Sequence, residues 1–513
     1  MFSSGQGIKV PPAYGENGEQ GHCKVLRSES VRYLAHAVCS RKLRMPRGCK
    51  SVSVAYPCSR SLLKTIKKKE NKMGNYNKND VAPVPPMGWN SYDYYNTMVN
   101  EEQVRANAEY MAKNLKKYGW EYVVIDIQWS DPDAGKRNKD GIQYIPFSRF
   151  CIDEYSRQIP APNRFPSSAD GAGFKPLADY IHSLGLKFGI HIMRGIPRFA
   201  AHDHLPIKTH DGSAVTADMI ANPYSLSRWN PDMYGVDASK AYAQDYYDSV
   251  FELYAQWGVD FVKVDDICNT NMYPANPYSA EKEIEMIARA IKNSGRGMVL
   301  SLSPGPAVIE KAHHYENYAN MWRITDDFWD DWKLLKAMFE RCEVWQKHSG
   351  NGNWPDCDML PMNRLGWGWA DPDAPESTKG WMCKFTKEET RTMITLWCIF
   401  RAPLMIGTDL PQLDDFNLSL LTNEEIIAMN KCPNQAEQLS ASCSEDVIVW
   451  RNITEDGHAY YAYFNLSEEK QTVTMNLDNT AKGSVIRDLW DRKDLGESVT
   501  FTLEPHACKA FKI

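Results

Sequence analysis

The chain is 513 residues long, more than one ordinary domain, and its 43% apolar and 24% charged residues give the balance of a soluble globular protein. No stretch approaches the roughly 20 apolar residues of a membrane span, which argues against a transmembrane protein. Charge is unevenly placed: residues 1–72 carry a net +11 and the remainder −17, and an acidic body argues against nucleic acid as a substrate.

The basic stretch comes first along the chain. Residues 1–72 show no sustained helical or strand periodicity, and Lys67-Lys68-Lys69 reads most simply as a solvated patch, with nucleic-acid or membrane-surface contact as the sharper alternative. The first 30 residues lack the apolar core of a secretory signal, and the acids among residues 1–72 fit a transit peptide poorly. Met73 stands just before the motif-rich region, so residues 1–72 are expected to be a disordered extension or a consequence of start-site choice. From Val81 onward, short β-branched runs alternate with amphipathic helical segments, the pattern of a parallel sheet. Strands are predicted over 87–92, 122–128, 187–193, 261–266, 298–303, 321–327, 354–360 and 403–410, and eight is the number of a (β/α)8 barrel. Helices are predicted over 101–118, 238–257, 280–293 and 331–347; in the last, Trp332, Leu335, Phe339 and Cys342 recur at helical spacing and belong to the core. After about Pro433 the texture changes to alternating strands over 446–451, 459–465, 472–477, 485–489, 499–503 and 507–513, which predicts a small antiparallel β-sandwich. The expected organisation is therefore a tail over 1–72, a barrel over 81–432 and a β domain over 433–513.

Two of the strand candidates carry the chemistry. Val262-Lys263-Val264-Asp265-Asp266 and Trp322-Arg323-Ile324-Thr325-Asp326-Asp327 both run from apolar residues into carboxylates, which is how a barrel delivers acids to its mouth. Glycoside hydrolysis needs such a set: one carboxylate attacks or stabilises an oxocarbenium-like carbon and a second protonates the leaving oxygen. An isolated Asp-Asp pair reads equally well as a turn former. Because strand side chains alternate, the spacing leaves open which member of each pair faces the mouth. The HExxH and GxGxxG patterns are absent, and 13 scattered cysteines without a CxxC pair indicate neither a zinc site nor a disulfide framework. No cofactor or metal is expected, and a reducing, cytoplasmic location is favoured.

Pro86-Met87-Gly88-Trp89-Asn90-Ser91, Tyr122-Val123-Val124-Ile125-Asp126, Lys263-Val264-Asp265, Trp322-Arg323 through Asp327, and Trp354-Pro355-Asp356-Cys357-Asp358-Met359-Leu360 follow one another in the order found in glycoside hydrolase family 27. The chain resembles that family of α-galactosidases and α-N-acetylgalactosaminidases from about Val81 to Ile513. The resemblance implies a (β/α)8 barrel with a C-terminal β domain, a retaining double displacement and no cofactor. Carried over residue by residue, it makes Asp265 the nucleophile and Asp327 the acid/base, with Lys263, Arg323 and Asp126 as ligands of sugar hydroxyls and Trp89 and Asp358 shaping the pocket. Asp265 must stay ionised, which Lys263 and Arg323 would favour; Asp327 must hold a proton, which repulsion from Asp265, Asp266 or Asp326 would favour. His191 and Arg194 are open between sugar contact and a structural role.

Departures from the family pattern bear on the sugar. Where members carry two consecutive Asp residues on the second strand, this chain has Asp126-Ile127-Gln128, losing a carboxylate on the 4- and 6-hydroxyl side. Tyr92 stands where many members have Trp, and Ser303 replaces a larger acidic motif, leaving room beside the sugar's 2-substituent. Family disulfide positions are occupied by Gln128 and Ile267. The expected activity is an exo-acting α-galactosidase on carbohydrate substrates, with N-acetylgalactosamine, L-arabinopyranose or α-glucose units as alternative terminal sugars. An inactive sugar-binding barrel is the alternative of another class. The oligomeric state is left open.

Overall fold

A computed structural model describes residues 76–145, 147–270, 275–439, 446–476 and 485–513, which belong to one compact unit. The tail expected over 1–72 lies outside the described residues. Eight parallel strands form the central sheet: β1 (Met87–Asn90), β2 (Tyr122–Ile125), β3 (Lys187–Met193), β4 (Phe261–Asp265), β5 (Val299–Leu302), β6 (Met321–Arg323), β7 (Trp354–Asp356) and β8 (Leu404–Ile406). They pair in sequence order, and β1 pairs with β8 through Met87 and Leu404. The remaining edge is joined by Leu360, just beyond β7, which bridges Ile406: Leu360 N donates to Met405 O at 2.7 Å and Gly407 N to Leu360 O at 3.2 Å. Each of the eight strand candidates read for the barrel thus contributes a strand to it, although β6 stops at Arg323, four residues short of Asp327.

Parallel neighbours require crossovers, and here they are helical. The principal ones are α1 (Glu101–Asn114), α2 (Lys175–Ser183), α3 (Ala243–Trp257), α4 (Glu281–Ser294), α5 (Ala312–Tyr318), α6 (Trp332–Trp345) and α7 (Lys387–Phe400), and α8 (Glu424–Asn430) follows β8. Local sequence sets their ends. Asn100 with Gln103, and Thr386 with Glu389, form reciprocal capping boxes at the starts of α1 and α7. Gly258 and Gly295 close α3 and α4 in the left-handed region (φ 88° and 72°), where a Cβ would be strained, and turn the chain directly into β4 and toward β5.

Strand alternation divides the core into two layers. Tyr122, Val124, Phe261, Val299, Met321, Trp354 and Met405 fill the barrel interior, while Val123, Ile125, Val262, Val264, Leu300 and Trp322 pack outward against the helices. The C-terminal region holds β9 (Ala436–Gln438), β10 (Val447–Ile453), β11 (Ala459–Asn465), β12 (Gln471–Asn476), β13 (Arg487–Asp488), β14 (Lys493–Asp494), β15 (Ser498–Leu503) and β16 (Cys508–Lys512). Six of these form one antiparallel sheet in the order β9-β10-β11-β16-β13-β14, and β12 pairs with β15. Their shared core includes Val449, Tyr463, Met475, Leu503 and Phe511. The domain docks on the barrel through aromatic contacts, Phe400 against Trp450 and Phe339 against Phe464, with ring centroids 5.9 and 4.9 Å apart. Among the described residues no helix is long and apolar enough to cross a membrane.

Candidate active site

Side-chain parity assembles the site. Val124, Phe261, Val299 and Met321 point into the barrel, so Asp126, Lys263, Asp265, Ser303 and Arg323, two or four places further along the same strands, point the same way at the C-terminal mouth. All five line a cavity of about 270 Å³, together with Tyr92, Asp93, Ile127, Tyr144, Trp229, Asp326, Asp327, Trp329 and Asp358. That volume lies at the small end of ligand pockets, roughly 300 Å³ upward, and suits one terminal ring better than a chain segment.

The same alternation separates the two acids at the end of β4. Asp265 faces the cavity, whereas Asp266 turns away and meets Arg194 Nη2 at 2.8 Å; Arg194 also contacts Glu283 at 2.9 Å, so it braces the barrel wall. Burial pushes Asp266 up to about 7, against the pull of Arg194. Asp265 goes the other way. Burial alone would raise it, but its contact with His191, the charge of Lys263 and a hydrogen bond from Ser303 hold it well below the usual carboxylate range. His191 Nε2 lies 3.1 Å from Asp265 Oδ2, and Ser303 Oγ donates to Oδ1 at 2.9 Å. The nucleophile candidate is thus fixed in position and kept ionised.

Asp126 and Lys263 form a buried ion pair, Nζ to Oδ2 2.9 Å, and Asn90 Nδ2 donates to the same oxygen at 2.7 Å. Burial is outweighed at both partners: opposite charges hold Asp126 below and Lys263 above their ordinary values. Arg323 forks between two acids, Nη1 to Asp358 Oδ1 at 3.0 Å and Nη2 to Asp327 Oδ1 at 2.9 Å. Asp358 is buried, with a positive φ of 78°, and its Oδ2 accepts from Phe328 N at 2.7 Å. Asp327 sits at the rim with its side chain 58% exposed. Its immediate neighbour is therefore a guanidinium, rather than only the acids whose repulsion the sequence pointed to.

Seven of the eight site residues named from the sequence line the cavity; Trp89 does not. It has the outward parity of β1, is fully buried against Tyr95 and donates its Nε1 to Thr408 O at 2.7 Å, so it supports the wall from behind. Ser303 also differs from expectation: instead of only leaving space, it is bonded to Asp265. Asp93, unanticipated, reaches the cavity from the turn after β1. Its Oδ2 is buried without a hydrogen-bond partner among the described residues, and burial, then the charge of Asp358, pushes its carboxyl well above the usual range. A Cβ on Gly407 would come within 2.1 Å of that oxygen, so the glycine makes room for it. The only sequence signal for Asp93 is its place directly after the Trp-Asn-Ser-Tyr block.

Comparison with known proteins agrees with this geometry. A family model described as alpha galactosidase A matches residues 230–432, and one described as alpha galactosidase C-terminal beta sandwich domain matches 444–513. Alpha-galactosidase 3 of Arabidopsis thaliana is 28% identical over 434 residues, covering 83% of this chain and 80% of that protein. Among solved structures, a family 27 β-L-arabinopyranosidase from Geobacillus stearothermophilus is 49% identical, with a TM-score of 0.77 over 85% of this chain and 98% of its own. A putative α-N-acetylgalactosaminidase from Bacillus halodurans is also 49% identical, with a TM-score of 0.71 over 83% of this chain and 96% of its own.

Proposed function

The chain belongs to glycoside hydrolase family 27, and on that premise we propose that it is a retaining exo-glycosidase that removes terminal β-L-arabinopyranose, with α-galactose as its second substrate. The observation that carries the choice of sugar is Ile127. β-L-Arabinopyranose has the ring of α-galactose without the hydroxymethyl group, and a wall made by an apolar side chain suits a ring that has no hydroxyl to bury there. The 49% identity to an arabinopyranosidase supports the same reading. The α-galactosidase reading is favoured by the retained Asp126–Lys263 pair, an acceptor and a donor for neighbouring hydroxyls, and by curated relatives at 25–28% identity.

In the proposed mechanism, an Asp265 carboxylate oxygen attacks the anomeric carbon while Asp327 gives its proton to the glycosidic oxygen. The C–O bond to the leaving group breaks, leaving a glycosyl ester on Asp265. Asp327, now ionised, takes a proton from water as that water attacks the same carbon and releases the sugar with retained configuration. Lys263 and Arg323 hold the ring and offset negative charge nearby. The test is hydrolysis of the p-nitrophenyl α-galactoside, α-N-acetylgalactosaminide, β-L-arabinopyranoside and α-glucoside, with the first-formed anomer read by NMR. The arabinopyranoside is expected to have the highest kcat/KM and to release the retained anomer; a faster N-acetylgalactosaminide or an inverted product overturns the reading.

A further inference from the structure

Trp329, Trp369 and Trp381 cluster beside the cavity in a way the core does not explain. Trp329 and Trp369 have ring centroids 5.3 Å apart, Trp329 and Trp381 6.0 Å, and Trp369 and Trp381 6.3 Å. Trp369 also meets Tyr92 of the cavity wall edge-on at 5.3 Å. None of the three tryptophans belongs to the hydrophobic clusters of the barrel or the β domain, and all three are partly exposed. They pack on one another, with Trp329 lining the cavity and Trp369 against its wall. An apolar surface left outside the core in this way marks a contact site more often than a structural one.

Its place relative to the acids says what it contacts. Asp327, the proton donor in the reading above on which this inference rests, is two residues before Trp329 and opens to solvent at the rim. The group it protonates leaves on that side, so whatever follows the scissile bond meets the tryptophans. The bank is also fixed in advance. Phe328 is buried against Trp397, their centroids 5.0 Å apart, and anchors the segment between Asp327 and Trp329. Buried Asp330 accepts from Trp381 Nε1 at 3.1 Å and from Lys384 N at 2.9 Å, tying the loop after β6 to the strand that carries Trp381. Rings already held in place bind with little ordering cost.

We propose that Trp329, Trp369 and Trp381 form a leaving-group subsite that stacks a second pyranose ring, so that the substrate is a glycan end and not a glycoside of a small alcohol. The flat indole faces take the C–H faces of a sugar, and their edges carry little charge that would demand an ionic partner.

The experiment compares two substrates with the same terminal sugar, a glycosyl fluoride and that sugar linked to a hexose, in wild type and in Trp381→Ala, Trp381→Leu and Trp381→Phe. The ratio of kcat/KM on the disaccharide to kcat/KM on the fluoride is expected to fall at least tenfold in the Ala and Leu variants, mainly through KM, and to be largely kept in Phe. Leu retains apolar volume, so it decides the case should Ala fail to fold. A ratio within twofold of wild type in a folded Leu variant overturns the subsite while leaving the glycosidase reading intact. A wild-type enzyme that cleaves neither substrate overturns both.

Discussion

Replacing Ile127 by Asp puts the proposed choice of sugar to its sharpest test. Ile127 is 4% exposed and packs with Phe150, Met193 and Met233, so its loss should lower stability by about 2–4 kcal/mol. The new carboxylate would enter a pocket where Lys263 is already paired with Asp126, so its charge is only partly offset. What it offers in return is an acceptor for the hydroxymethyl of galactose, a group that the apolar wall leaves unsatisfied. A hydrogen bond to a charged group contributes about 1.5–3 kcal/mol, which is roughly 10- to 150-fold in relative kcat/KM. The assay is the ratio of kcat/KM on p-nitrophenyl α-galactoside to that on p-nitrophenyl β-L-arabinopyranoside, because a loss of folded enzyme cancels between the two. The ratio should rise at least tenfold in Ile127→Asp. A change of less than twofold, in a variant with a native circular dichroism spectrum, would refute the idea that this wall selects the sugar.

The remaining tests address the acids and their supports. Asp265→Ala should remove nearly all turnover, and added azide should restore part of it as a glycosyl azide of inverted configuration; near-normal turnover would sink the assignment. Asp327→Ala should slow glycosyl-enzyme formation from disaccharides far more than from aryl glycosides with good leaving groups, and equal losses would move the proton donor to Asp326. Ser303→Ala removes one of the contacts that hold Asp265 below its ordinary value, so the pKa of this proposed nucleophile should rise and the acid limb of the kcat/KM profile move to higher pH. The same contacts stabilise the fold above the unfolded carboxylate range near pH 4, and that contribution is lost as pH falls toward the depressed folded value, well below pH 3. An unmoved acid limb would show that the hydrogen bond does not tune Asp265. Gly407→Ala should push Asp93 from its seat and raise KM more than it lowers kcat, and unchanged kinetics in the folded variant would mean that Asp93 does not touch the sugar.

What was legible in the sequence follows from what a strand dictates. Short β-branched runs alternating with helical segments located the eight barrel strands, and once those are known, alternation alone sends Asp126, Lys263, Asp265 and Arg323 to the mouth and Asp266 to Arg194. The same rule corrects Trp89: it stands next to inward-facing Asn90, which donates to Asp126, so its ring must face the helices. Alternation stops where the strand stops. β6 ends at Arg323, and Asp327 is placed by the loop that Phe328 and Asp330 anchor, through long-range contacts that no local spacing encodes. Asp93, Tyr144 and Trp229 likewise arrive from connections after β1, β2 and β3, and β9 and β14 are strands of two or three residues, too short for a periodic pattern. The division matters chemically. The charges around the proposed nucleophile come from strands and were readable, whereas the proposed proton donor and the surface proposed to meet the leaving group come from loops, where members of one fold can differ without disturbing the barrel. The β4 acid is therefore the firmer carry-over from resemblance, and leaving-group preference the property that most needs a structure to read.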